Sequence, residues 1–532
     1  MTDFNSSYAR WLFDQAKSGR MSRREFLGRT SAIGIALGTS TGVLNSALAS
    51  KPKSGGHMRI GMGHGATGDT LDPATIENGL QWVASYGVAN TLVELAADGT
   101  LQPSLATGWE ASADASKWTF TLRKDVTFHN GKTMTAEDVI ASINYHRGDE
   151  SKSVGKPIMA SVIDITAPDP NTVVIQLSSG NADFPSSFNE ATFSIYPSKD
   201  GGIDWQSGGS GPYILKENNP GVRLLFERNP NYWKDGRAHA ASIELLSLID
   251  STARNNALMT GAVDVIDQVD LKTLHLLARN PAVTIEEGAG PLHYVFPMRT
   301  KVAPFDNLHL RKALKYGINR EEMVAKILNG HGVVGNDHPI GPSYRYHAAD
   351  IEQTAYDPDK ARFHMDKSGL GDITIDLSAA NAAFAGAIDA VALYQASAGK
   401  AGIKLNIVRE ANDGYWSNVW NKKPWSASYW GGYTTEDTML TTGYAPGAAW
   451  NDTQWDHPKF NELLVAARGE LDASKRAEMY RDIQIILRDE GGVVVPMFAN
   501  AVIARNDQIA HGDQSWVRAL DGRRIMERWW MV

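Results

Sequence analysis

Residues 101–139 read LQPSLATGWEASADASKWTFTLRKDVTFHNGKTMTAEDV. Trp118, Phe120 and Leu122 alternate with Lys117, Thr119 and Thr121, the period of a strand buried on one face. Val126 and Phe128 continue the pattern up to Asn130-Gly131, a dipeptide suited to a tight turn. Thr135 then stands at the N-cap position of a helix whose apolar residues, Ala136, Val139, Ile140 and Ile143, fall at i, i+3, i+4 and i+7. Strand, turn and capped helix within so few residues place the chain in the α/β or α+β class.

The surrounding chain repeats these signals. A helix is expected over 79–90, burying Trp82, Val83, Tyr86 and Val88, and a hairpin about Asn219-Pro220-Gly221. Ile243–Ile249, a helix over 252–260 closed by Gly261, and a strand at 263–266 form a βαβ-like unit, predicting a parallel pair. A second α/β region alternates strand and helix from Ile373 to Tyr433. The helix Ala477–Leu487 and the apolar strand Val493–Pro496 follow, before a more polar tail ends at Val532.

With 532 residues the chain has length for two to four domains, and its 42% apolar and 21% charged content is that of a globular protein. Residues 1–49 read as a twin-arginine signal peptide. A polar leader ends in Ser22-Arg23-Arg24-Glu25-Phe26-Leu27, a weakly apolar run spans 31–44, and Ala47-Leu48-Ala49 offers a small-residue cleavage pattern. That segment carries six Lys/Arg and three acids against −8 for the whole chain, so the remainder is near −11. Such acidity argues against nucleic acid or an anionic membrane as partner. The chain has no cysteine, so neither disulfides nor an N-terminal lipid anchor are expected, and the expected destination is the periplasm as a soluble protein.

Catalytic and cofactor motifs fail on context. Gly61-Met62-Gly63-His64-Gly65-Ala66 fits G-x-G-x-x-[G/A], but Gly68-Asp69-Thr70-Leu71-Asp72-Pro73 follows where a phosphate-facing helix would have to start. H-E-x-x-H is missing, and Ser153–Lys156 and Ser397–Lys400 match S-x-x-K at the level of chance. His331, His338 and His347 lack metal-ligand spacing and are read as surface residues. No cofactor, metal or catalytic residue is expected.

Four ordered blocks resemble the dipeptide/oligopeptide/nickel-binding family (family 5) of ABC-transporter solute-binding proteins. They are 101–139, then Gly209–Tyr213 with Glu227–Trp233, Leu258–Asp264, and Arg311–Arg320. The resemblance runs from about His57 to Asn500. It implies a two-lobed periplasmic-binding-protein fold of type II-like, mixed-sheet architecture, without enzymatic activity. Lobe I would hold 57–296 and the return segment 498–532, and lobe II would hold 297–497. Two strand crossovers are expected near Tyr294–Met298 and Val494–Phe498. An inner-membrane permease with ATPase subunits would be the partner of this chain, acting as a monomer and exported by the twin-arginine machinery. A secreted enzyme or chaperone-like module on the same scaffold is the alternative.

The resemblance also implies where solute binds. His64–Thr70 would form cleft wall. In peptide-binding members an Asp three residues after the Trp that matches Trp430 pairs with the peptide ammonium; here that position is Tyr433. The stretch Ala379–Ala390, where dipeptide members carry a carboxylate-binding Arg, has none. Glu436 and Asp437 follow closely and are candidates to hold an amine, or else to cap the next helix. The expected ligand-binding set is therefore Trp430, Gly431, Gly432, Tyr433, Glu436 and Asp437. Trp416 joins it from the group of six tryptophans, among fifteen, that lie between 415 and 455. The expected solute is a peptide or a peptide-like, amine-containing molecule.

Overall fold

The computed structural model describes residues 52–532. Lys117–Leu122 is a strand with Trp118, Phe120 and Leu122 buried, and it lies between Ala106–Ala111 and Thr172–Leu177 in a four-stranded antiparallel sheet completed by Val162–Asp169. Val173, Ile175 and Leu177 meet the same core, which the helix Ala136–Asn144 covers with Val139 and Ile143. That helix starts where expected because Asp138 accepts the Thr135 N–H at 2.9 Å and the Ser198 N–H at 2.7 Å. The turn at Asn130-Gly131 forms with Gly131 at φ 85°.

A nine-stranded mixed sheet links the rest of the molecule. His57–Met62 runs parallel to both Ser242–Ser247 and Val265–Ile266. The βαβ-like unit therefore exists, with the helix Ser251–Met259 between its strands, but the two strands are not neighbours. His57–Met62 is inserted between them and satisfies both inner edges. The strand that carries the glycine motif thus sits mid-sheet, and only a short 3-10 turn at Pro73–Thr75 precedes the helix Gly79–Val88.

Two long strands, Val283–Pro297 and Val493–Asn506, pair antiparallel from Val283↔Asn506 to Pro297↔Val493. Their ladder is interrupted between Ala289 and His293. On one side Val502, Ile503 and Ala504 enter the cores built on Met58, Ile60 and Ile266. On the other side Phe296, Val494 and Met497 join a core with Leu310, Leu377 and Tyr394. Val295, Val493 and Val495 join another, with Leu440, Phe460 and Ile483. The molecule is two-lobed, and the interruption at 289–293 lies N-terminal to the crossover expected at 294–298.

Lobe II contains the parallel pair Thr374–Ala379 and Lys404–Arg409, joined by the helix Ala387–Gly399. The tail expected to be polar returns to lobe I and is deeply buried: Ile509, Leu520, Ile525 and Trp529 pack on Met58 and Ile60. Glu527 in that tail lies among Lys234, Arg524 and Arg528, whose charges hold its carboxyl down at about 2 against the cost of burial. His338, read from sequence as a surface residue, is buried, and loss of solvation pushes it down to about 3.

Candidate functional site

A cavity of about 630 Å³ lies between the lobes. Lobe I contributes Ile76, Trp82, Val154, Ile158, Asp183, Glu190, Phe193 and Arg518 to its wall, and lobe II contributes Tyr433, Thr434, Thr435, Asp437, Thr442 and Trp450. Trp82 is presented by the helix Gly79–Val88, whose start is held by a reciprocal cap between Asn78 and Gln81. Val83 and Ala84 turn into the core while Trp82 stays half-buried at the cavity, although the sequence pattern grouped it with the buried residues.

Among the described residues, three polar contacts cross between the lobes beside the cavity. Asp183 accepts two hydrogen bonds from Arg476, at 2.8 and 2.6 Å, in a bidentate pair. Arg476 is itself held in lobe II by the Ala467 carbonyl at 2.9 Å and by the rings of Tyr346 and Tyr480. The Ala182 N–H donates to the Arg468 carbonyl at 2.7 Å, and the Thr434 hydroxyl donates to Glu190. The arrangement is a closed one, with both walls of the cavity in contact.

The residues singled out in the sequence have separate fates. Ser428–Trp430 is an edge strand paired with His293–Val295, so Ser428 and Trp430 point inward and Tyr429 outward. Trp430 is 5% exposed, packs on Trp450 and lies outside the cavity wall. Gly432 adopts φ +79°, and a Cβ there would meet the Pro291 ring at 2.2 Å. Gly431 and Gly432 therefore turn the chain toward the cavity without lining it. Tyr433 does line it, fixed by its N–H donating to the Tyr344 hydroxyl at 3.0 Å.

Neither acid is a free anchor. Thr435 caps the helix Glu436–Tyr444, accepting the Thr438 N–H at 3.3 Å, so both acids lie in its first turn. The Glu436 carboxylate turns away from the cavity and accepts the Tyr346 N–H at 2.6 Å. Burial pushes its pKa up to about 7. Asp437 reaches the cavity wall, but its two oxygens already take Arg468 Nε at 3.0 and 3.1 Å. Trp416 is 42% exposed and stands outside the cavity, edge-on to Trp420 and Tyr429. His64–Thr70 is outside it too: Gly65 lies against Ser247, and His64 bonds Gln268.

Trp82, Asp183, Glu190, Trp450 and Arg518 were not read from the sequence as binding residues, because they come from distant segments that only the tertiary fold brings together. Arg518 sits over the Trp82 ring, its guanidinium carbon 3.9 Å from the centroid. Among the described residues no group of three or more His, Cys, Asp or Glu is placed to hold a metal ion. Among them, too, no helix is long and apolar enough to cross a membrane.

The family model for bacterial extracellular solute-binding proteins, family 5 Middle, matches residues 100–452. The chain belongs to solute-binding protein family 5. Heme-binding protein A of Haemophilus influenzae is 26% identical over 462 residues, covering 79% of this chain and 83% of its own. The probable D,D-dipeptide-binding periplasmic protein DdpA of Escherichia coli is 25% identical over 520 residues, covering 92% and 96%. Among solved structures, HbpA2 of Haemophilus parasuis superposes with a TM-score of 0.77 at 20% identity, covering 88% of this chain and 99% of that one. The family is one of binding proteins that hand solutes to ABC importers, each with a membrane permease and ATPase subunits.

Proposed function

We propose that this family 5 protein captures one peptide-like or amine-containing solute in the interlobe cavity and presents the closed form to a permease, as a monomer and without chemical change to the solute. The observation that carries this reading is the cavity itself. Both lobes line it, and the lobes are joined by two long strands whose pairing lapses at 289–293. That lapse, opposite Ala499, is where we place the hinge, with 57–289 and 500–532 on one side and 293–498 on the other. Tyr433 would touch the solute directly. Gly431 and Gly432 shape the approach, and Asp437 acts as a pair with Arg468. Trp430, Trp416 and Glu436 would support lobe II from outside the cavity.

Solutes that bind should raise the unfolding temperature in proportion to the logarithm of their concentration and be recovered unchanged. A solute that stabilises the protein but is consumed would instead point to an enzyme. The twin-arginine signal lies in 1–49, outside the described residues, and we propose that it directs export to the periplasm. Arg23→Lys with Arg24→Lys should leave the precursor in the cytoplasm, as seen by fractionation; normal maturation of the double variant would contradict the route.

A further inference from the structure

Three carboxylates line the cavity, and each faces an arginine, but the three pairs are not alike. Asp183–Arg476 is bidentate at 2.6 and 2.8 Å, and Asp437 holds Arg468 Nε between both its oxygens. Arg518 reaches Glu190 only at 3.1–3.4 Å. Among the described residues Glu190 is the only acceptor for this guanidinium, so most of its five N–H donors are unspent, and the side chain lines the cavity. Stacking on Trp82 keeps the guanidinium in place whether or not Glu190 holds it. Glu190 in turn keeps a donor from the opposite lobe, the Thr434 hydroxyl.

A loose ion pair at the wall of a largely apolar cavity selects by charge. A lone anion on Arg518 would sit against Glu190, and a lone cation on Glu190 would sit against Arg518. A group carrying both charges on one carbon meets each with its opposite and replaces one poor salt bridge with two good ones. We propose that the solute presents a free α-amino-acid head group to this pair, its carboxylate on Arg518 and its ammonium on Glu190. The remainder of the molecule lies against Trp82, Phe193 and Trp450. In an α-linked dipeptide the two termini belong to residues whose Cα atoms are about 3.8 Å apart, so the head group is best supplied by a side-chain-linked conjugate. This rests on the cavity being the capture site.

The test is calorimetry on the mature chain with γ-glutamyl-phenylalanine, its N-acetyl and α-carboxamide derivatives, and α-linked Glu-Phe. The free γ-linked compound should bind, and each derivative and the α-linked isomer should bind at least about 30-fold more weakly. Arg518→Gln should weaken the free compound to a similar extent but hardly change the carboxamide, and Glu190→Gln should do the same with respect to the N-acetyl form. Arg518→Lys, which keeps the charge, should recover part of the loss. Derivatives that bind as well as the parent, a parent that does not bind, or variants that leave it unaffected would each overturn the assignment. The wild-type comparison decides alone should a variant fail to fold. A blocked derivative that binds and is lost in Tyr433→Ala would refute the head-group assignment while leaving capture in the cavity intact. Binding of the parent that survives Tyr433→Ala, Arg518→Gln and Glu190→Gln alike would refute the cavity as well.

Discussion

Asp452 sits in an environment far from the one its type suggests. Its carboxyl is 2% exposed beside the tryptophan group, with Trp420 Nε1 donating to Oδ2 at 3.0 Å and no partner for Oδ1 among the described residues. Burial pushes its pKa up to about 7 from 3.8. The folded protein therefore holds this proton more tightly than the unfolded chain does, so the contribution of this group to stability is fully present below pH 4 and is lost as pH rises towards 7. Asp452→Asn keeps the acceptor for Trp420 and removes the titration. Its stability relative to wild type should improve by an order of 2–4 kcal/mol between pH 4 and 7.5 in denaturant melts, and level off above. A difference that does not change with pH would contradict the buried acid. At this scale the sequence misled where a short motif was read without its backbone. Ser428-Tyr429-Trp430 alternates as an edge strand must, so Trp430 faces the core while Tyr429 is 44% exposed. Glu436 and Asp437 took the bland course open to acids after a threonine cap, the first turn of a helix.

Elements were more legible than residues. The alternation over 117–122, the Asn130-Gly131 turn and the helix after Thr135 all appear as read, because each is decided by neighbours within a few positions. Strand order was not legible: nothing in 243–266 announces that His57–Met62 will enter between its two strands. The crossover strands show a similar limit. Gly288 lies where a Cβ would stand 2.2 Å from the indole of Trp516, a constraint imposed by the distant return segment. Gly288→Ala must push Trp516 and its loop aside, which should cost about 1–3 kcal/mol in thermal or denaturant unfolding. A variant as stable as wild type would show that the return segment is not packed tightly on this strand.

The two-lobed architecture was legible only through the resemblance of whole blocks to a family, since hinge strands read from sequence like any apolar strands. The cavity was legible in part. Tyr433 and Asp437 belong to its wall, but Glu190 and Arg518 are far apart in the chain and become neighbours only when the return segment packs back on lobe I. Closure also depends on Asp183, which crosses the rim to Arg476. Asp183→Asn leaves each lobe's own core untouched but removes the charge that balances a buried arginine between them, a loss of about 3–5 kcal/mol for such a pair. Small-angle scattering should give a larger radius of gyration for the variant than for wild type, with the lobes' secondary structure unchanged; superimposable curves would remove the pair from the closing contacts. The most direct test of capture between the lobes is native mass spectrometry of the mature protein purified from the cells that produce it. The account predicts one small-molecule adduct per chain, lost when Tyr433 and Trp450 are both changed to alanine. A bare chain mass, or an adduct that persists in that double variant, would contradict it.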